Sequence, residues 1–237
     1  MRRFFIRHSL AFAVLFLLST RFVDVTVGSG FGRHPAEIAW EATGLPAERF
    51  VLDHWLEGRE GGGDLRRAAR EIAARLRVRE AALFGGEAGG VRFANLDGRL
   101  PDGGELVLTI QSAGKRWRVG LSCSYDRLPP DLRGLERKVL ASLARFGPPG
   151  EWSWTIRGRR AGRVDPRIWR TIWARVLAAV GAVRRDEGRD EWSVAAYTPL
   201  LPAPPGTATN LALVLRYDEA ARSSVLIMAS PIPLEES

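Results

Sequence analysis

The 237-residue chain carries 35 lysines and arginines against 27 aspartates and glutamates, a formal charge of +8, with 46% hydrophobic and 26% charged residues. That balance excludes a largely disordered chain and permits a buried core. Cys123 is the only cysteine, so no intramolecular disulfide forms and the fold rests on packing.

Arg2, Arg3 and Arg7 precede an unbroken apolar run from Leu10 to Leu18, which Arg21 and Asp24 then end. The run is shorter than the roughly 20 residues that span a bilayer's hydrocarbon core. A basic start, a short apolar centre and the small residues Val27-Gly28-Ser29 have the form of a secretory signal. Residues 1–29 are therefore expected to engage the membrane during export, either cleaved or kept as an anchor. Secretion or association with the cell envelope follows from that reading. Removal of the segment takes four arginines and one aspartate with it and leaves a charge of +5. The remaining positive balance favours anionic surfaces without choosing among them.

After residue 35, a short helix is expected over Ala36 to Thr43 with Ile38 and Trp40, followed by a strand from Phe50 to Leu56. Asp64 then caps a helix whose Leu65, Ala68, Ala69, Ile72, Ala73 and Leu76 share one face. Gly61-Gly62-Gly63 before it reads as a turn, and Gly85-Gly86-Glu87-Ala88-Gly89-Gly90 as a loop. Three strands follow: Val91 to Ala94, then the alternations Leu106, Leu108, Ile110 and Val119, Leu121, Cys123. Asp131 caps a helix with Leu132, Leu135, Val139, Leu143 and Phe146 on one side.

The same order then recurs. A strand runs from Trp152 to Arg157, and Asp165-Pro166 opens a helix with Ile168, Ile172, Val176, Ala179, Val180 and Val183. Strands follow at Trp192 to Ala195, at Leu211, Leu213, Leu215, and at Val225, Ile227, Ala229. Gly44-Leu45-Pro46 is echoed by Gly147-Pro148-Pro149, Trp55 by Trp154, Gly58 by Gly158 and Leu100-Pro101 by Leu201-Pro202. The chain thus reads as an α-β-α-β-β-β unit used twice, over residues 35–125 and 131–234. The expected fold is α+β, a pseudo-twofold and mainly antiparallel sheet with helices on one face. Two separate beads are the alternative, but the Gly147 turn is too short for a tether.

The C-terminal stretch carries a family likeness. Glu191-Trp192-Ser193-Val194-Ala195-Ala196-Tyr197-Thr198-Pro199 leads into Asn210-Leu211-Ala212-Leu213-Val214-Leu215-Arg216-Tyr217-Asp218, and Ser224 to Pro233 follows. In these segments the chain resembles the exported YwmB family of spore-forming Gram-positive bacteria. The specific match spans about residues 190–234; it lacks the family's glycine before Pro231-Ile232 and its closing tyrosine. The resemblance implies a signal segment followed by a TATA-binding-protein-like fold. It implies a fold rather than an activity.

With the apolar sets turned to the helices, the opposite sets define an open sheet face. There the first half offers Thr109, Gln111, Arg116, Arg118, Gly120, Ser122 and Ser124. The second offers Ala212, Val214, Arg216, Leu226 and Met228. Gln111, Arg116, Arg118, Arg216 and Met228 are the candidate ligand-binding residues, the arginines suiting phosphate or carboxylate. A solvated face is the plainer reading of the same residues.

No catalytic residue is assigned. His34 and His54 lack an oriented partner in any motif, and no spacing of Cys and His suits a metal. No cofactor motif is present; Gly61 to Asp64 lacks the lysine and hydroxyl of a phosphate loop. The sequence therefore favours a non-catalytic envelope protein that binds an anionic polymer or another envelope protein. A hydrolase working through carboxylates such as Asp53 and Glu57 is the alternative. An export signal argues against a nucleic-acid partner.

Overall fold

The computed structural model describes residues 33–58, 63–114, 116–147, 150–185, 192–203 and 208–231. The proposed export segment, Gly61, Gly62 and the chain beyond residue 231 lie outside the described residues. From His34 onward the chain forms one unit, which contains all the elements below.

Among the described residues there are four helices: α1 (Pro35–Thr43), α2 (Leu65–Leu76), α3 (Leu132–Leu143) and α4 (Pro166–Ala179). Between α1 and α2 runs β1 (Ala47–Gly58). Four strands join α2 to α3: β2 (Arg79–Ala88), β3 (Val91–Arg99), β4 (Glu105–Ala113) and β5 (Arg116–Tyr125). The strand between α3 and α4 is β6 (Glu151–Ala161). Beyond α4 come β7 (Val183–Arg184), β8 (Ser193–Tyr197), β9 (Leu211–Asp218) and β10 (Ser223–Ser230). All ten described strands join one sheet in the order β2-β3-β4-β5-β1-β6-β10-β9-β8-β7, antiparallel throughout. The chain is α+β, with a large antiparallel sheet and helices packed on it.

The helices begin where their caps dictate. Asp64 accepts from the Arg66 and Arg67 amides, Asp131 from Gly134 and Asp165 from Arg167. Each carboxylate satisfies amides that lack a partner in the first turn. His34 caps α1: Nδ1 accepts from the Ala36 amide at 3.1 Å, and Nε2 lies 3.1 Å from Glu136 on α3. The apolar face read for α2 is buried along its whole length. That of α4 is rotated from expectation: Trp169, Ile172, Val176 and Leu177 are buried, while Ile168 is exposed. Tryptophan at 169 offers more apolar surface than isoleucine at 168, and it turns the helix towards itself.

Four strands, not three, lie between α2 and α3 and again after α4. The additional strand β2 runs through Gly85 and Gly86, which had read as a loop. A side chain at Gly85 would collide with the Phe93 carbonyl at 2.6 Å, so close strand approach requires glycine there. The other additional strand, β7, contains Val183, which had been assigned to the helix. Gly181, at φ +58, ends α4 instead. Gly158 likewise does not close its strand but lies within β6. Trp40 of α1 packs on it, 2.5 Å from where a Cβ would stand.

The buried strand residues and the buried helix faces form one cluster, with Trp40, Trp154, Trp169 and Phe50 as its largest members. Helix α1 packs on α4 and α2 on α3. The opposite side of the sheet is covered by no described helix.

Candidate functional site

Partners opposed across an antiparallel ladder point to the same side, so the register assigns every strand residue to a face. Phe50, Leu52, His54 and Leu56 of β1 stand beside Tyr125, Cys123, Leu121 and Val119 on the helix side. Val51, Asp53, Trp55 and Glu57 therefore occupy the open side with Ser124, Ser122, Gly120 and Arg118. Trp55 and Trp154, which had seemed equivalent, are on opposite faces: Trp55 is 42% exposed and Trp154 is fully buried.

The expected phase of β10 is reversed. Leu226 and Met228 pair with Leu215 and Leu213 and are buried on the helix side. Val225, Ile227 and Ala229 face the open side. Met228 is thus a core residue and not part of any ligand surface. The strand Ser223-Ser224-Val225-Leu226-Ile227-Met228-Ala229-Ser230 is apolar on both faces, so alternation alone gives it no phase.

The other candidates occupy two separate places. Gln111 and Arg118 are direct partners across β4 and β5, and Arg116 lies two residues along the same face. Arg216 is on β9, four strands from β5, or roughly 19 Å at about 4.8 Å per strand. The first group surrounds Trp55. Its indole lies against Gly120, where a Cβ would stand 2.4 Å from the ring, and the Arg118 guanidinium lies 4.9 Å from the ring centroid. Glu57 is 3.9 Å from Arg118. The sheet therefore holds a tryptophan flat and half exposed, between a glycine floor and an arginine.

The second place is an arginine band that the sequence did not reveal. Arg49 of β1 faces Arg157 of β6 directly. Two residues along β6, Arg159 is separated from Arg216 only by Val225 of β10. Arg99 of β3 lies on the same side, facing Glu105 of β4. Arg49 and Arg99 line one pocket of about 160 Å³ with Glu105, Ser124, Tyr125 and Asp126. Arg159 is paired with Glu48 at 3.4 Å and Arg99 with Glu80 at 3.5 Å. Arg157 Nε is shielded from solvent and has no hydrogen-bond partner. The available signal was Arg157-Gly158-Arg159, two arginines at strand spacing in a strand read as ending at 157. Their proximity to Arg49 depends on β1 pairing with β6, which local sequence does not encode.

The buried titratable groups lie on the helix side. Burial lowers the pKa of His54, an effect opposed by the Glu151 backbone, and neither ring nitrogen has a hydrogen-bond partner of good geometry. Burial pushes the Cys123 thiol up to about 12, aided by Asp102 and Asp53. Burial also raises the Tyr125 phenol, and its hydroxyl donates to Asp102 at 3.0 Å. Asp53 and Glu57 share the open face but are four residues apart on one strand, roughly 13 Å between Cα atoms, with Trp55 between them. Paired glycosidase carboxyls stand about 5 to 9.5 Å apart. Among the described residues no group of three or more His, Cys, Asp or Glu is placed to hold a metal ion. Among them also, no helix is long and apolar enough to cross a membrane.

No protein-family model matches the chain, and no curated protein does. Among solved structures, DynU16, a protein from the dynemicin biosynthetic locus, is similar over 78% of this chain and 89% of its own. The identity is 13% and the TM-score 0.25, a likeness too slight to carry an inference about fold or function.

Proposed function

We propose that the chain is an exported protein of the cell envelope that binds an anionic polymer or a partner protein on its open sheet face and catalyses no reaction. The observation that carries this reading is the convergence of Arg49, Arg157, Arg159 and Arg216 on the side of the sheet opposite the helices. Cations held over a partly apolar floor attract anions more strongly than the same cations in open water. The half-exposed Trp55 under Arg118 adds flat contact area on the same face. Trp55 stands between Asp53 and Glu57 on the strand, and Glu57 lies beside Arg118, an arrangement that favours binding over carboxylate hydrolysis.

The strand order supports the finer architecture, a duplicated saddle of the TATA-binding-protein type. Each run of five strands places its last strand beside its first, and β1 joins β6 at the middle. Membership of the YwmB family and export by residues 1–29 complete the proposal.

Crosslinking in intact cells tests the binding reading. A photoreactive residue replacing Thr109 on the open face is expected to capture an envelope component. The same probe at the exposed Arg70 of α2 is not. Equal capture from both positions, or a protein that a secretion reporter keeps inside the cell, would overturn it.

A further inference from the structure

We infer that the helical layer is a membrane-docking face, in which cations of α2 and α3 rest on an anionic lipid surface and turn the open sheet face away from the bilayer. The inference goes beyond open-face binding and rests on the reading that residues 1–29 enter the membrane.

The charge of the fold lies in that layer. Residues 34–43, 64–77, 131–145 and 165–179, which hold the four helices, carry twelve lysines and arginines against seven aspartates and glutamates. That surplus of five equals the whole charge left once residues 1–29 are removed, so the rest of the chain is balanced. Long-range attraction to an anionic surface therefore originates in the helices.

The carboxylates of α2, α3 and α4 are already engaged. Asp64, Asp131 and Asp165 accept from first-turn amides, and Glu136 faces His34. Glu71 is shared by Arg75 and Arg145, two cations on one anion. Arg75 also reaches the Ala141 carbonyl at 3.5 Å, which joins α2 to α3 as one surface. On it Arg67, Arg70, Arg137 and Lys138 are exposed and face no carboxylate among the described residues. The two acids of α1 stand apart: Glu37 accepts from the His34 amide, Glu41 is exposed, and their helix packs on α4.

The point where the chain enters the fold argues for a bilayer as the occupant. His34 sits in the helical layer, with Nδ1 capping α1 and Nε2 at 3.1 Å from Glu136 of α3. An apolar run at Leu10 to Leu18 held in a membrane is thus tethered to the helical side. The thirteen residues from Arg21 to His34 reach at most roughly 45 Å. A run too short for a full span holds weakly alone, and a basic patch supplies a second attachment. Tethering keeps the patch concentrated at the surface, so a few cations worth about fivefold each suffice. Leu140 on α3 and Ile168 on α4, 39% and 40% exposed, are apolar side chains able to enter the headgroup layer.

The test measures partition of the full chain onto vesicles of phosphatidylcholine alone and of phosphatidylcholine with phosphatidylglycerol in equal parts. The variant Arg67→Gln, Arg70→Gln, Arg137→Gln, Lys138→Gln is expected to bind the anionic vesicles at least about tenfold more weakly than the parent, and the neutral ones equally. Added salt should narrow that difference. The variant Arg67→Lys, Arg70→Lys, Arg137→Lys keeps the charge and is expected to stay within about twofold of the parent. Cys123 is buried, so a fluorophore can be placed on Leu140→Cys or on Val107→Cys of the open face. A headgroup-bound quencher is expected to dim the first more than the second. A photoreactive residue at Arg70 should capture lipid, and one at Thr109 polymer or protein, so the two captures differ in kind. Unchanged affinity of the glutamine variant for anionic vesicles, or equal dimming at the two labelled positions, would overturn the inference. So would weakened binding of the lysine variant, which would make guanidinium shape rather than surface charge decisive. Tighter binding of a DNA duplex than of anionic vesicles would overturn it in favour of nucleic acid. If the vesicle preference is absent while Thr109 still captures polymer or protein in cells, the docking face falls and the open-face reading stands.

Discussion

Replacing Gly120 with alanine drives a methyl group into the Trp55 ring, whose nearest atoms lie 2.4 to 2.7 Å from the new Cβ position. The backbone on both sides is fixed by two ladders, β4 and β1, so the indole must move. Trp55 is 42% exposed, so somewhat more than half of its surface is covered. A tryptophan buries roughly 200 Å² when fully enclosed, and lifting this one exposes roughly 100–120 Å². At about 25 cal/mol per Å² that costs about 3 kcal/mol. Alanine returns about 0.5–1 kcal/mol over glycine within a strand, leaving a net loss of about 2 kcal/mol. For a chain of this size the melting temperature should fall by about 4–8 °C. The decisive assay is a double-mutant cycle with Trp55→Ala. In that background Gly120→Ala is expected to be neutral or stabilising. Equal destabilisation with and without the indole would refute the claim that Gly120 exists to seat Trp55.

Three further outcomes follow from buried polar groups. Asn210 is fully buried, accepts from the Thr198 amide at 2.9 Å and donates to the Thr198 and Leu201 carbonyls at 2.7 Å each. Asn210→Ala leaves the Thr198 amide and the Leu201 carbonyl unpaired and the Thr198 carbonyl with only the Leu201 amide at 3.4 Å, and should cost about 3 kcal/mol by urea denaturation; a loss below about 1 kcal/mol contradicts this bonding. His54 has its pKa lowered from 6.5 by burial, so the unfolded chain takes up a proton more readily than the native one. Its stability share is therefore complete above about pH 6.5 and is lost as the pH falls. His54→Leu should flatten the melting temperature between about pH 7 and pH 5, and an unaltered curve would count against the buried neutral ring. Cys123, buried and with its thiol raised to about 12, should resist iodoacetamide in the native protein and react once unfolded. Rapid native labelling would place it at the surface instead.

Residue spacing fixed most of the helical layer in advance. Asp64, Asp131 and Asp165 announced the helix starts, and Leu65 through Leu76 announced a buried face, because caps and periodicity are local. The strands β4, β5 and β9 were also phased correctly, β4 and β5 because polar residues mark their open face and β9 only through Arg216 and Asp218, since its Ala212 and Val214 are apolar. Where that contrast is missing, the reading failed. Strand β10 has no polar side to mark it, and β2 hides behind two glycines required by Phe93. The candidate site divided along the same line. Gln111 beside Arg118 was legible, because adjacent hairpin strands fix their own register. The pairing of Arg49 with Arg157 was not, because β1 and β6 are joined by most of the first half of the chain.

The strand order also constrains how the molecule is made. Strand β10 lies between β6 and β9, so β7, β8 and β9 join the sheet only through the last of the described strands in chain order. Until β10 is in place, β6 offers an open edge and three strands have nowhere to dock. Non-local pairings of this kind are slow to form and expose aggregation-prone edges meanwhile. Deletion of β10 would therefore cost far more than its own eight residues: β1 to β6 would keep their ladder, and β7 to β9 would lose their link to it.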